Sequence, residues 1–209
     1  MKLFRQLCTL QLKHRKMQET KKAVAIYTES NPNPNSLKFV ANFMLMPEGI
    51  SRDYPSKEDA ARAPLATELF EKFDFITGVF YMNNFITVTK KEEIDWFEVK
   101  GEVQQFIKEW LEAEKEIITE EVKDTIDEEL TGDDSEAKIR GVLEEYIKPA
   151  VEMDGGAIKL SSFKDGIVTV VLQGSCSGCP SSTITLKNGI ENLLKRMVPE
   201  VKEVVAEEA

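Results

Sequence analysis

Two thiols three positions apart, Cys176 and Cys179, are the side chains of this 209-residue sequence best suited to chemistry. They lie in Gly174-Ser-Cys-Ser-Gly-Cys-Pro-Ser-Ser, after a β-branched run and before a helical one. Pro180 suits the first turn of a helix, where its missing N–H removes only a donor that has no partner anyway. A helix N-terminus favours nearby anions, so the sequence predicts thiolate character at Cys179 and extends it to Cys176. Gly174 and Gly178 let the backbone turn tightly. Two thiolates are soft ligands that suit an iron–sulfur cluster, zinc or copper(I). The same spacing serves thiol–disulfide exchange equally well. That chemistry prefers a β-α-β setting near the start of a fold, whereas this pair comes late and after a hairpin.

A [4Fe–4S] cluster or a tetrahedral sulfur site normally takes four protein ligands. The chain has three cysteines and one histidine. Cys8 and His14 sit in a basic tail and are read as unstructured bystanders. The simplest route to four thiolates brings two C-x-x-C motifs together across a two-fold axis. The sequence therefore predicts a cluster-bridged homodimer, and a cluster held at a subunit junction suits a carrier. Two other functions use the same cysteines: a dithiol–disulfide oxidoreductase, and a zinc site locking a dimer. No Ser/Cys–His pair falls within a domain and no phosphate-binding G-x-x-x-x-G-K-[ST] is present, so an enzyme is not expected.

The elements that must position the pair fall into two blocks, an α+β organisation of two small domains. In the first, Ala23–Tyr27 and Leu37–Phe43 read as strands around the rigid turn Asn31-Pro-Asn-Pro-Asn-Ser. Arg52-Asp-Tyr-Pro reads as a loop. Residues 56–73 are helical, divided at Pro64. Phe75–Tyr81 and Phe85–Thr89 read as a hairpin around Met82-Asn-Asn. Asp95 caps a helix whose stripe of Trp96, Val99, Val103, Phe106, Ile107 and Trp110 is core packing. In the second block, Ser135–Ile147 reads as an amphipathic helix and Asp154-Gly-Gly as a turn. Ala157–Phe163 and Ile167–Leu172 are strands around Lys164-Asp-Gly. A helix then runs to Met197, and Val201–Val205 is a last strand: α-β-β-α-β. Ser181, Ser182 and Thr183 are read as helix-capping residues. The divisions are 1–22, a disordered basic extension; 23–113; 114–134, an acidic linker; and 135–209.

Charge supports this division. The net charge is −10, and Glu112–Glu136 alone holds twelve acids and two lysines. The first 22 residues run the other way, with seven Lys/Arg and one Glu. Both runs read as solvated segments. An acidic chain without a basic stripe argues against nucleic-acid binding, and no apolar run is long enough to predict a membrane helix. The start lacks the pattern of a secretory signal, and Met17 is a candidate start in place of Met1. Few cysteines imply a reducing compartment, read as a bacterial cytoplasm with the mitochondrial matrix as the alternative.

Asp154-Gly-Gly-Ala and Leu172-Gln-Gly-Ser-Cys-Ser-Gly-Cys-Pro-Ser-Ser-Thr-Ile-Thr-Leu-Lys-Asn-Gly-Ile-Glu-Asn closely resemble the C-terminal domain of NifU-like proteins, the Nfu iron–sulfur scaffold and carrier family. Asn31-Pro-Asn-Pro-Asn-Ser-Leu-Lys-Phe, Pro64-Leu-Ala, Phe85-Ile-Thr-Val-Thr-Lys and Asp95-Trp resemble the N-terminal domain of its two-domain members. The resemblance implies a [4Fe–4S] cluster bound through Cys176 and Cys179 and shared by two subunits, with a [2Fe–2S] form left open. It also implies an upstream assembly scaffold as donor, and apo iron–sulfur proteins such as aconitase-like enzymes or lipoyl synthase as recipients.

Overall fold

Asn83 and Asn84 reverse the chain between β4 (Ile76–Met82) and β5 (Phe85–Lys90), with Met82 opposite Phe85. Asn83 takes the left-handed conformation, φ +48°, that asparagine tolerates better than most residues. A computed structural model describes residues 23–119, 134–178 and 180–208; Cys8, His14 and Cys179 lie outside them, as do the side chains of Ser181, Ser182 and Thr183. Around the hairpin, β1 (Ile26–Ser30), β2 (Ser36–Ala41) and β3 (Ser51–Tyr54) complete a five-stranded antiparallel sheet ordered β1-β2-β5-β4-β3.

The first strand starts at Ile26 rather than Ala23, because the side chain of Asn42 takes the N–H of Ala25 and the C=O of Ala23 and closes the ladder there. The segment expected as a loop at Arg52 is a strand instead. Ser51 to Tyr54 pairs with Met82 to Val79, and the Tyr54 ring packs edge-on against Tyr81 at 5.4 Å. Arg52 and Asp53 are poor strand formers, but an edge strand tolerates charge.

One face of this sheet carries Phe39, Val79, Tyr81, Ile86 and Val88 against α1 (Pro64–Lys72) and α2 (Trp96–Glu112). Leu65, Leu69, Val103 and Ile107 fill the space between. The Asp95 carboxylate accepts from Phe97 N at 2.8 Å, the expected N-cap. Ile117 and Ile118 pack on the same core, and Thr119 N donates to the carbonyl of Arg62.

In the second domain, α3 (Asp134–Val142) continues through a π-helical turn, Leu143–Ile147, into α4 (Lys148–Met153). The helical path therefore runs past Ile147, where the sequence predicts its end, and through Pro149. A proline inside a helix removes one N–H and crowds the carbonyl four residues back; the wider π turn just before it gives the ring room. β6 (Gly156–Lys164) and β7 (Ile167–Gly174) form the expected hairpin. Its turn residues Asp165 and Gly166 both have positive φ, +54° and +87°. From β7 the chain crosses through α5 (Pro180–Met197) to β8 (Glu203–Glu208), which lies parallel to β7. This last strand sits two to three residues later than expected, because the backbone of Lys202 first pairs with the Gly166 carbonyl. Val168, Val170 and Leu172 alternate inward against Ile139, Ile190 and Leu194.

The outer face of the five-stranded sheet is also apolar. Val40, Phe80, Met82 and Phe85 form a separate buried cluster with Ala157 of β6. The sheet is thus covered on one side by its own helices and on the other by the second domain, which is why β2 is buried at every position.

Candidate functional site

Cys176 follows the end of β7 in a loop bracketed by two glycines of positive φ, Gly174 at +63° and Gly178 at +67°. A residue with a Cβ is strained in that region, so the glycines permit the tight turn that presents the cysteine. Ser177 N donates to the Gly174 carbonyl at 3.1 Å, and Ser175 N to the Gly155 carbonyl at 3.3 Å. The Ser175 hydroxyl donates to the Asp154 carbonyl and lies 3.9 Å from the Cys176 sulfur. The Asp154-Gly-Gly turn therefore anchors the cysteine loop from behind. Gly156 is the closest part of that anchor: a Cβ there would stand 2.9 Å from the Cys176 sulfur and 2.6 Å from the Gln173 carbonyl.

Cys176 is buried and lines a largely apolar cavity of about 410 Å³ between α4 and α5, with Ile147, Val151, Leu186, Ile190 and, from the first domain, Pro32. Among the described residues no three His, Cys, Asp or Glu side chains converge on a common point, and no helix is long and apolar enough to cross a membrane. The soft sulfur donor and the glycine-permitted loop suit a thiophilic metal group.

Several residues beside the loop carried no functional signal in the sequence. The Asn31–Asn35 segment is the rigid turn expected, with the Asn33 carbonyl oxygen of the side chain accepting from Asn35 N at 2.9 Å. The other end of the same side chain reaches across the molecule, where Asn33 Nδ2 donates to the Ser175 carbonyl at 2.9 Å. Thr87 Oγ1 donates to the Gly155 carbonyl at 2.7 Å. Gly174 N donates to the Asp53 carboxylate at 3.3 Å.

Burial pushes the Asp53 carboxyl up to about 6 from 3.8, opposed by the Gly174 N–H and the charge of Lys159. An acid held above its unfolded value favours the fold while protonated. That contribution is full below 3.8 and is lost as pH rises through about 6. Asp53→Asn keeps an acceptor for Gly174 N without the charge. Relative to wild type it is expected to gain stability between pH 4 and 7.5, by on the order of 3 kcal/mol. Paired thermal melts across that range check it; parallel curves for the two proteins would refute it.

Both halves of the chain match known families. The family described as "Scaffold protein Nfu/NifU N terminal" matches residues 26–114, and the family "NifU-like domain" matches residues 139–205. A human protein named "NFU1 iron-sulfur cluster scaffold homolog, mitochondrial" is 41% identical over 180 residues, covering 86% of this chain and 70% of that protein. The chain belongs to the Nfu family. A Drosophila persimilis protein of the same name is 38% identical over 186 residues, covering 88% of this chain and 65% of its own length. The Nfu chain described here thus spans about two thirds of the length of these relatives. A solution NMR structure of a NifU-like protein from Saccharomyces cerevisiae overlaps 52% of this chain and 95% of its own, at 24% identity and a TM-score of 0.44.

In this Nfu chain the Asp154-Gly-Gly turn and the Cys176 loop, 20 positions apart from Gly156 to Cys176, meet because β6 and β7 are hairpin partners: Gly156 pairs with Gly174. The pattern could have been sought in the sequence as two glycine-bearing segments at opposite ends of one hairpin. The contributions of Asn33, Thr87 and Asp53 had no such local sign.

Proposed function

We propose that this protein binds a [4Fe–4S] cluster through Cys176 and Cys179, shares it with a second copy of the chain, and passes it to apo iron–sulfur proteins. An upstream assembly scaffold would supply the cluster. The observation that carries the reading is the Cys176 loop: a cysteine between two left-handed glycines, braced from behind by the Asp154-Gly-Gly turn. The family relationship supports it, since the human and fly relatives are named as iron–sulfur cluster scaffolds. The chain has three cysteines in all. Two copies of the 176/179 pair are the simplest way to assemble four thiolates of equivalent setting.

The protein works as a scaffold and carrier rather than as a catalyst, and the cluster is its cargo. Residues 23–113 and 135–209 serve as the two working domains, joined by the acidic stretch 114–134. Both relatives carry "mitochondrial" in their names, which favours the mitochondrial matrix over the bacterial cytoplasm as the place of work.

Anaerobic reconstitution of the full chain with iron and sulfide tests this. A brown dimer with about four irons per two chains is expected, read by visible absorption, iron analysis and light-scattering mass. A colourless monomer under the same conditions would overturn it and leave dithiol–disulfide exchange at the same cysteines as the better account.

A further inference from the structure

The first domain does not touch the second at random. Three of its hydrogen bonds fall on two short segments, the Asp154-Gly-Gly anchor and the end of β7, which together hold the Cys176 loop; Lys38 Nζ adds one to the neighbouring Met153 carbonyl at 3.4 Å. Thr87 binds the Gly155 carbonyl, Asn33 the Ser175 carbonyl and Asp53 the Gly174 N–H. Ser51 Oγ also lies 3.2 Å from Gln173 Oε1. Thr87 is fully buried and Asn33 is 4% exposed, so these hydrogen bonds are made away from water, where a lost partner is costly. Alongside them Phe80, Met82 and Phe85, all at most 4% exposed, pack with Ala157. Gly174 approaches so closely that a Cβ there would stand 2.8 Å from the Phe80 ring. Pro32 walls the cavity that Cys176 lines.

We propose that the outer face of the five-stranded sheet and the Asn31–Asn35 turn form a latch on the cysteine loop: closed, it keeps Cys176 from a second copy of the chain, and cluster binding requires it to open. The proposal rests on the two-cysteine reading above. A sulfur that is to bridge two chains must reach the surface of each, whereas Cys176 is 4% exposed in the latched form. The first domain would then control when a cluster can be taken up or released, without contributing a ligand.

The test uses the full chain, metal-free, with Cys8→Ser and Cys179→Ser so that Cys176 is the single thiol. Its rate of reaction with a bulky aromatic disulfide is compared with that after adding Thr87→Val together with Asn33→Ala, and after adding Ala157→Glu. The first pair removes two donors, and with Asn33 also the acceptor that holds Asn35 N in the turn; the second places a charge in the apolar contact. Circular dichroism verifies that each is folded, and the first pair keeps the test standing if Ala157→Glu is not. Opening that is rare in the parent becomes frequent in the variants, so reaction about tenfold faster or more is expected. Scattering should report a larger radius of gyration in the same variants. Equal rates in parent and folded variants would overturn the latch and assign the burial of Cys176 to its own domain. That result would leave cluster uptake by the unaltered chain intact, whereas a chain that takes up no cluster overturns the carrier reading without changing the thiol rates.

Discussion

Cys176→Ala is expected to give a folded protein that takes up no cluster. Each chain would lose one of its two proposed donors, and a dimer would then offer two thiolates where four are needed. The fold should survive, because Cys176 packs as one small apolar member of a core that includes Ile139, Ile190 and Leu194. Trimming its sulfur costs about 1 kcal/mol by the ordinary scale for a buried methylene-sized group. That is a minor fraction of a domain's stability. Cys179→Ala should match it in cluster uptake, and Cys8→Ala should behave as wild type. Absorption and iron content after reconstitution, set beside thermal melts, separate loss of ligand from loss of fold. A full cluster on Cys176→Ala would move the site elsewhere.

Gly156→Val is expected to abolish uptake with both cysteines still in place. A Cβ at this position meets the Gln173 carbonyl at 2.6 Å, the Cys176 sulfur at 2.9 Å and the Cys176 N at 3.2 Å. Two of these three are backbone atoms, and Gly156 is paired with Gly174 across the hairpin. The strands cannot separate locally without losing the pairing that holds the loop. The strain of overpacking such a site is about 1–3 kcal/mol, and the cysteine sulfur is the neighbour freest to move. Displacing it spoils ligand geometry, so the loss of cluster should exceed the loss of stability. Gly101→Ala is the contrasting case. Gly101 lies in α2 with nothing within 4 Å of its added Cβ, so the change should raise stability by about 1 kcal/mol and leave uptake alone. Iron content per folded chain for the two variants decides between a local effect on Cys176 and a general sensitivity to glycine replacement.

Much of the local structure could be read directly from the chain because its signals are local. A C-x-x-C pair followed by proline, glycines on either side, an Asp one residue before an apolar helical stripe, and Asp-Gly or Asn-Asn between β-branched runs each act over a few residues. The hairpins, the N-cap at Asp95 and the α-β-β-α-β order follow from them. Charge read along the chain likewise separated an acidic stretch from the two apolar blocks.

What the tertiary structure alone decided depends on partners far away in the chain. Arg52-Asp-Tyr is a strand because β4 has an open edge to pair with, not because its residues favour extension. Pro149 sits within a helical path because a π turn precedes it. Val40, Phe80, Met82 and Phe85 alternate with core residues in runs that look like strands buried on one side; only the second domain shows what covers their other face. Asn33 reads as a turn residue and is one, yet its remaining donor finds its acceptor 142 positions away at Ser175. No periodicity carries information over that distance. The C-x-x-C pair is written in neighbouring residues, while the contacts that the first domain makes around the Cys176 loop exist only once both sheets have formed and met.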